Sequence, residues 1–170
     1  MDVFDAIRTK RAVRQFKPDL LPESDLKRVL NAGRRAQSAK NTQPWRFIAV
    51  RDRTVLQKLS TLGQYAGHIA GAAAAVAILT PDPASRFSVM FDAGQAASYM
   101  QLAAWELGIG SCLATIYEGE KARDLLGFPA DLHLSVCISF GYPAEEAALT
   151  RAPQKGGREA LDNLVHFDHW

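Results

Sequence analysis

RFSVMFDAGQAASYMQLAAWELG, residues 86–108, decides the architecture. Apolar residues fall on almost every side of a helix drawn through it, and it contains no proline. A helix of that kind is surrounded by protein, its own or a partner's. The small residues Ala93, Gly94, Ala96, Ala97 and Ser98 would let another helix approach closely.

Working outward, apolar periodicity sets the neighbouring elements. Val3, Phe4 and Ile7 give a short first helix over residues 2–9. Pro18 and Pro22 punctuate a loop, and a second helix starts at Glu23 or Ser24 with Leu26, Val29, Leu30 and Gly33 on one face. WRFIAV (45–50) reads as a strand, RDRTVLQKLSTLG (51–63) as a helix closed by Gly63, and AAAVAILT (73–80) as a strand stopped by Pro81 and Pro83. After Gly108 come a strand SCLATI (111–116), a helix EGEKARDLLG (118–127) and a strand HLSVCISFGY (133–142). This order is mixed, not strictly alternating. It predicts an α+β fold with a central mixed or antiparallel sheet flanked by helices, not a doubly wound one.

From Pro143 the character changes. Residues 143–170 hold few apolar positions for a core of their own, and the expectation is a segment that extends and packs on a second subunit. The chain reads as a single domain, residues 1–170, because its 170 residues suffice for one hydrophobic core. Twenty basic against 18 acidic residues give a formal charge of +2. That balance offers no case for nucleic acid or a membrane surface across the molecule. No apolar run approaches a membrane span, and MDVFDAIRTKRAVRQF carries charge throughout, so a soluble cytoplasmic protein is expected. Cys112 and Cys137 are far apart, each in an apolar run, and read as small buried hydrophobes.

Several chemistries lack their signatures. Gly108-Ile109-Gly110 has no third glycine of a dinucleotide fingerprint, and GxxxxGK, HExxH and GxSxG are absent. His68, His133, His166 and His169 are scattered. An enzyme built from this chain would take its chemistry from a cofactor.

Two local patterns stand out. Lys10, Arg11 and Arg14 cluster where the first helix gives out, and guanidinium forks with an ammonium suit a phosphate monoester. Taken alone, the cluster reads more simply as a solvated basic face. In SAKNTQPWRF (38–47), Asn41 and Gln43 each offer an amide that donates and accepts, suited to a flat heterocycle's edge or a chain of hydroxyls. Pro44 stiffens this turn and biases Gln43 toward an extended backbone. The alternative is that both amides satisfy loop backbone groups.

Taken together, KRAVRQF (10–16), NTQPWRF (41–47), the helix containing Asp92-Ala93-Gly94, LGIGSC (107–112) and GREALDNLVHFDHW (157–170) closely resemble the FMN-dependent nitroreductase family. The resemblance runs in order from Phe4 to Trp170. It implies FMN at a homodimer interface, with residues of both subunits around it and the C-terminal segment exchanged onto the partner. Lys10, Arg11, Ala12 and Arg14 would take the phosphate and ribityl chain. Ala12 stands where the family commonly has serine, so a backbone contact survives there and a hydroxyl contact does not. Asn41 and Gln43 match positions that meet the flavin ring and ribityl chain. Leu113, Ala114 and Thr115 match the segment whose backbone passes the ring. Arg158, with Lys155 as a weaker match, resembles the C-terminal contribution to the phosphate site.

The resemblance further implies NADH or NADPH as donor, hydride transfer through the flavin, and a nitroaromatic, quinone or similar small acceptor in the same space by ping-pong turnover. Tyr65, Phe87 and Tyr117 are candidate walls of that space or ordinary packing. Flavin fragmentation, reductive dehalogenation and a non-catalytic FMN-binding module are the competing readings. No metal site is expected, and no side chain is assigned as catalytic.

Overall fold

The computed structural model describes residues 2–149 and 157–170. The segment that opens the sequence argument forms α4, Ser88–Glu106. Val89, Asp92, Ala93, Ala96, Ala97, Met100, Gln101, Ala104 and Trp105 are buried, a stripe at helical spacing. Its closest partner is α2, Glu23–Arg34. A Cβ on Gly33 of α2 would lie 2.8 Å from Met100 Cγ, so the two backbones approach where glycine leaves room. The opposite face of α4 is not covered by the described residues: Met90, Phe91, Gly94, Ser98 and Tyr99 are exposed, Phe91 to 63%. One face is thus the chain's own core and the other is an apolar surface.

Four strands form the sheet: β1 Arg46–Val50, β2 Ala74–Thr80, β3 Gly110–Ala114 and β4 His133–Gly141. Their order is β1-β2-β4-β3, and every pairing is antiparallel. Strand alternation sends side chains to two faces. Val76, Ile78, Ile138 and Phe140 pack with Leu26 and Val29 of α2 and Met100 of α4. Ala75, Cys137 and Ala114 face the other way, onto Leu56 and Leu59 of α3 (Arg53–Ser60) and Ala122 of α5 (Gly119–Leu126). Helices therefore cover both faces of β2, which is why all seven of its residues are buried.

Expected and observed elements agree closely, with one difference that touches the site. The strand expected over 111–116 ends at Ala114. Thr115 leaves the sheet because the loop after α3 presses on it, with Gly63 packed against the Thr115 carbonyl. Leu62 O accepts the N–H groups of Tyr117 (2.9 Å) and Glu118 (3.2 Å), which ties the two loops together.

The first helix, α1 (Val3–Thr9), buries none of its residues; Phe4 is 84% exposed. Its end is held by Trp105 Nε1, which donates to Thr9 Oγ1 at 3.0 Å. After β4, residues 142–144 run beside 15–17: Lys17 N–H donates to Tyr142 O and Ala144 N–H to Gln15 O. Every residue from 157 to 170 is exposed, Phe167 to 84% and Trp170 to 98%. Among the described residues no helix is long and apolar enough to cross a membrane, and no group of three His, Cys, Asp or Glu residues could hold a metal ion.

Candidate cofactor site

The basic segment is extended and laid along β3. Val13 N–H donates to Ser111 O at 3.0 Å, and Ala12 bridges Ser111 in parallel register. The approach needs a glycine, since a Cβ on Gly110 would sit 2.7 Å from Val13 Cβ. Beneath it, Gln101 Nε2 of α4 donates to Ser111 Oγ at 3.2 Å. Val13 is buried and Ala12 and Arg14 are exposed, the alternation of a strand.

Three cations of this segment behave differently. Lys10 is partly buried, and desolvation of its ammonium lowers its pKa, with nearby Cys112 opposing that shift. Arg14 stands close enough to add to the burial that lowers the His68 pKa and to offset part of the burial that raises that of Cys112. Arg11 folds back on α1, donating from Nη1 to Arg8 O (2.9 Å) and Lys10 O (3.0 Å). Its Nε is buried without a partner among the described residues. Lys10 and Arg14 are therefore the cations at β3, while Arg11 closes the end of a helix.

His68 joins this group through the fold, although its place in the sequence suggests nothing. Its Nδ1 lies 2.8 Å from Ser139 Oγ, and Ser139 Oγ donates to Cys112 O at 3.4 Å. Desolvation first, then Arg14, lowers its pKa, partly opposed by the Leu113 carbonyl. Below the ordinary histidine range the unfolded chain takes up the proton more readily than the folded chain, so acid favours unfolding. Melting curves from pH 8 to 5 should show stability falling with acid, and His68→Asn should flatten that fall. Neither cysteine is a reactive thiol. Burial raises Cys112, and it pushes the fully buried Cys137 up to about 12.

The amide turn is built from non-glycine residues in the left-handed region. Lys40, Asn41 and Gln43 have φ of 52°, 53° and 47°. Each such residue costs roughly 1–3 kcal/mol and persists only where its surroundings over-determine it. Here Asp92 Oδ1 accepts from Ala39 N–H at 3.0 Å and Ser38 Oγ from Gln43 N–H at 2.9 Å. Thr42 Oγ1 donates to Ala39 O and accepts from Arg86 Nη2 at 2.8 Å. The extended backbone expected for Gln43 before Pro44 is overturned, because the Ser38 bond holds Gln43 at positive φ. Ser38, Ala39, Asp92 and Thr42 meet the Ala39, Asn41, Thr42 and Gln43 N–H groups and the Ala39 carbonyl. The Asn41 and Gln43 side chains are exposed; Gln43 Nε2 makes one long bond, 3.4 Å, to Asn41 O.

Within one chain these two features lie at opposite ends of α4. The turn is fastened at Asp92, the basic segment at Gln101 and, through Thr9, at Trp105. The thirteen helical steps from Asp92 to Trp105 span about 20 Å, and the nine from Asp92 to Gln101 about 14 Å. Leu113 and Ala114 lie on β3, an edge strand, with Thr115 just beyond it. Leu113 and Thr115 expose their side chains. An open cleft of about 520 Å3 lies between α2 and β1, lined by Leu30, Arg34, Gln43, Trp45 and Phe47 among others, and a separate one of about 320 Å3 is lined by Ala12, Val13, Arg14, Gln15, Glu145 and Ala148. The first holds Gln43 but none of residues 10–14. Arg158 is on the exposed segment 157–170, and Lys155 lies outside the described residues.

Comparisons with known proteins agree with this architecture. The sequence model of the Nitroreductase family matches residues 7–62 and 56–142. An Archaeoglobus fulgidus protein that carries the name of an NADH dehydrogenase/NAD(P)H nitroreductase is 30% identical over 171 residues, 96% of each chain. The structure of an FMN-dependent nitroreductase from Clostridium difficile superposes with a TM-score of 0.85 at 27% identity, over 99% of this chain and 100% of that one. A nitroreductase-type protein of Desulfovibrio desulfuricans, solved in complex with FMN, gives 0.82 at 25% identity, over 100% and 98%. The chain is a member of the Nitroreductase family.

Proposed function

We propose that the chain is an FMN-dependent oxidoreductase that takes hydride from NADH or NADPH and reduces nitroaromatic, quinone or similar small acceptors. The observation that carries the reading is the chemistry of the two separated features. A partly desolvated Lys10 beside β3, with Arg14 close by, suits a phosphate monoester, whose charge would offset the cost of burying the ammonium. Asn41 and Gln43 expose their side chains on a turn held by Asp92 and Ser38, and the one long bond from Gln43 Nε2 to Asn41 O leaves most of their amide capacity for a heterocycle.

One FMN would meet both features across two chains. Their anchors on α4, Asp92 against Gln101 and Trp105, lie about 14–20 Å apart, whereas a two-fold copy packed antiparallel on the outward stripe of α4 would set one chain's turn beside the other's basic segment. Gly94 and Ser98 permit close approach there, and Phe91, Met90 and Tyr99 supply apolar surface. The exposed Leu161, Leu164, Phe167 and Trp170 would find cover on the same partner, and Arg158 would join a phosphate site from that segment. In this reading residues 1–170 form one FMN-binding unit, with 157–170 packed on the partner, while the expected departure at Pro143 is corrected: Pro143 and Ala144 stay beside Phe16 and Gln15 of their own chain.

When bound, FMN supplies the hydride chemistry at its ring. The protein's part is positional and electrostatic. Beyond Ser111, which the basic segment covers, Leu113 on the outer edge of β3 would orient the ring, with Ala114 following it at the end of the strand and Thr115 past that end. Ala12 offers a backbone contact only. Arg14, at the Leu113 end of this edge, can stabilise negative charge developing on a bound ring. No acid–base side chain is assigned, and a proton for the acceptor would come from water. A single space serving donor and acceptor in turn predicts ping-pong turnover. Initial rates at several acceptor concentrations should give parallel double-reciprocal lines; lines that converge would show both substrates bound together and contradict a shared space.

A further inference from the structure

We infer that Asp92 is the positioning residue of the cofactor site: through one backbone hydrogen bond it sets the left-handed turn that presents Asn41 and Gln43. The inference rests on the proposed FMN reading for its functional consequence, and on geometry alone for the turn.

Asp92 sits in the first part of α4, on its buried face, and is 3% exposed. Oδ1 accepts from Ala39 N–H at 3.0 Å, across 53 residues of sequence. Oδ2 is buried with no partner among the described residues. A half-satisfied buried carboxyl is costly, and a position that served packing alone would avoid the cost with an apolar side chain. The bond it does make falls at the entry to the turn, immediately before Lys40 and Asn41, which adopt φ of 52° and 53°. Non-glycine residues leave that region unless held. Arg86, two residues before α4 begins, reaches the same turn at Thr42 Oγ1. The beginning of α4 thus grips the turn at two points, and Ser38 closes it internally on Gln43 N–H at 2.9 Å. Asp92 is the buried member of the set, and so the bond least exposed to competition from water.

Three variants test this: Asp92→Ala, Asp92→Asn, which keeps the Oδ1 acceptor, and the near-isosteric Asp92→Leu should alanine not fold. Leu56→Ala, on the opposite face of the sheet, is a matched destabilised control. Hydrogen exchange of the Asn41, Thr42 and Gln43 amides, measured on full-length apoprotein, reads the turn without any cofactor. All three amides bond to Ser38 or Ala39 and not to Asp92, so faster exchange reports the turn's own opening. The expected result is exchange about tenfold faster in Asp92→Ala or Asp92→Leu, an FMN Kd raised about tenfold to a hundredfold, and both restored to within about threefold by Asp92→Asn. Leu56→Ala should lower the melting temperature while leaving both readouts unchanged. Wild-type exchange in Asp92→Ala or Asp92→Leu would overturn the inference, as would an unchanged FMN Kd or a failure of asparagine to rescue. Wild-type protein that binds no FMN would instead sink the proposed function, and the exchange rates would still decide whether Asp92 sets the turn.

Discussion

Lys10→Ala/Arg14→Ala should weaken FMN binding by about two to four orders of magnitude. Each charged hydrogen bond to phosphate contributes about 1.5–3 kcal/mol, so losing two costs about 3–6 kcal/mol, at about 1.4 kcal/mol per tenfold. The effect is large because the site is prepared at some cost: Lys10 keeps a partly desolvated ammonium in the free protein, and its lowered pKa records the penalty. Arg11→Ala should do much less to binding, since Nη1 already serves the Arg8 and Lys10 carbonyls. The pH dependence follows the same sign. As pH rises, Lys10 loses its charge before an ordinary surface lysine does, so FMN affinity falls earlier in wild type than in Lys10→Arg. Titration of apoprotein with FMN, followed by fluorescence, measures each of these. Equal affinity for wild type and the double variant would remove the phosphate assignment.

Mixing two defective chains should restore sites that neither has alone. A chain carrying Asn41→Ala/Gln43→Ala lacks the amide turn; one carrying Lys10→Ala/Arg14→Ala lacks the basic clamp. If every site draws its turn and its clamp from different chains, each homodimer contains two damaged sites. A mixed dimer contains one intact site and one damaged twice. Random pairing makes half the dimers mixed, so about one site in four recovers full affinity. The recovery would be all-or-none per site and therefore easy to resolve from the weak background. Absence of recovery in a sample shown to contain mixed dimers would place turn and clamp around FMN within one chain. That would conflict with their attachment at opposite ends of α4.

Local pattern carries much of this fold and part of its site. The long helix α4 was legible because residues 86–108 are apolar on almost every side and hold no proline; which face the chain itself buries was not. The strands β1, β2 and β4 were legible as apolar runs between turn residues. Thr115 was misassigned to β3 because a loop about fifty residues earlier in the chain pushes it out, and no local signal carries that contact. Gln43 was misread for a related reason: the steric preference before proline was visible, whereas the Ser38 bond that overrides it was not. His68 and Asp92 are invisible as site residues in the sequence, since topology alone brings them to Arg14 and Ala39. Arg11 sits inside a legible basic motif, yet its guanidinium is committed to helix carbonyls, which composition does not distinguish from a phosphate contact.

On the proposed function, this chain holds FMN and passes electrons from a nicotinamide through it. The most direct measurement is the absorption spectrum of the purified protein, saturated with FMN and repeated without oxygen after NADH and then NADPH. The account predicts flavin bands that bleach with at least one donor and return when a quinone or nitroaromatic is added. A protein that refuses FMN, or whose bound flavin neither donor bleaches, would contradict it.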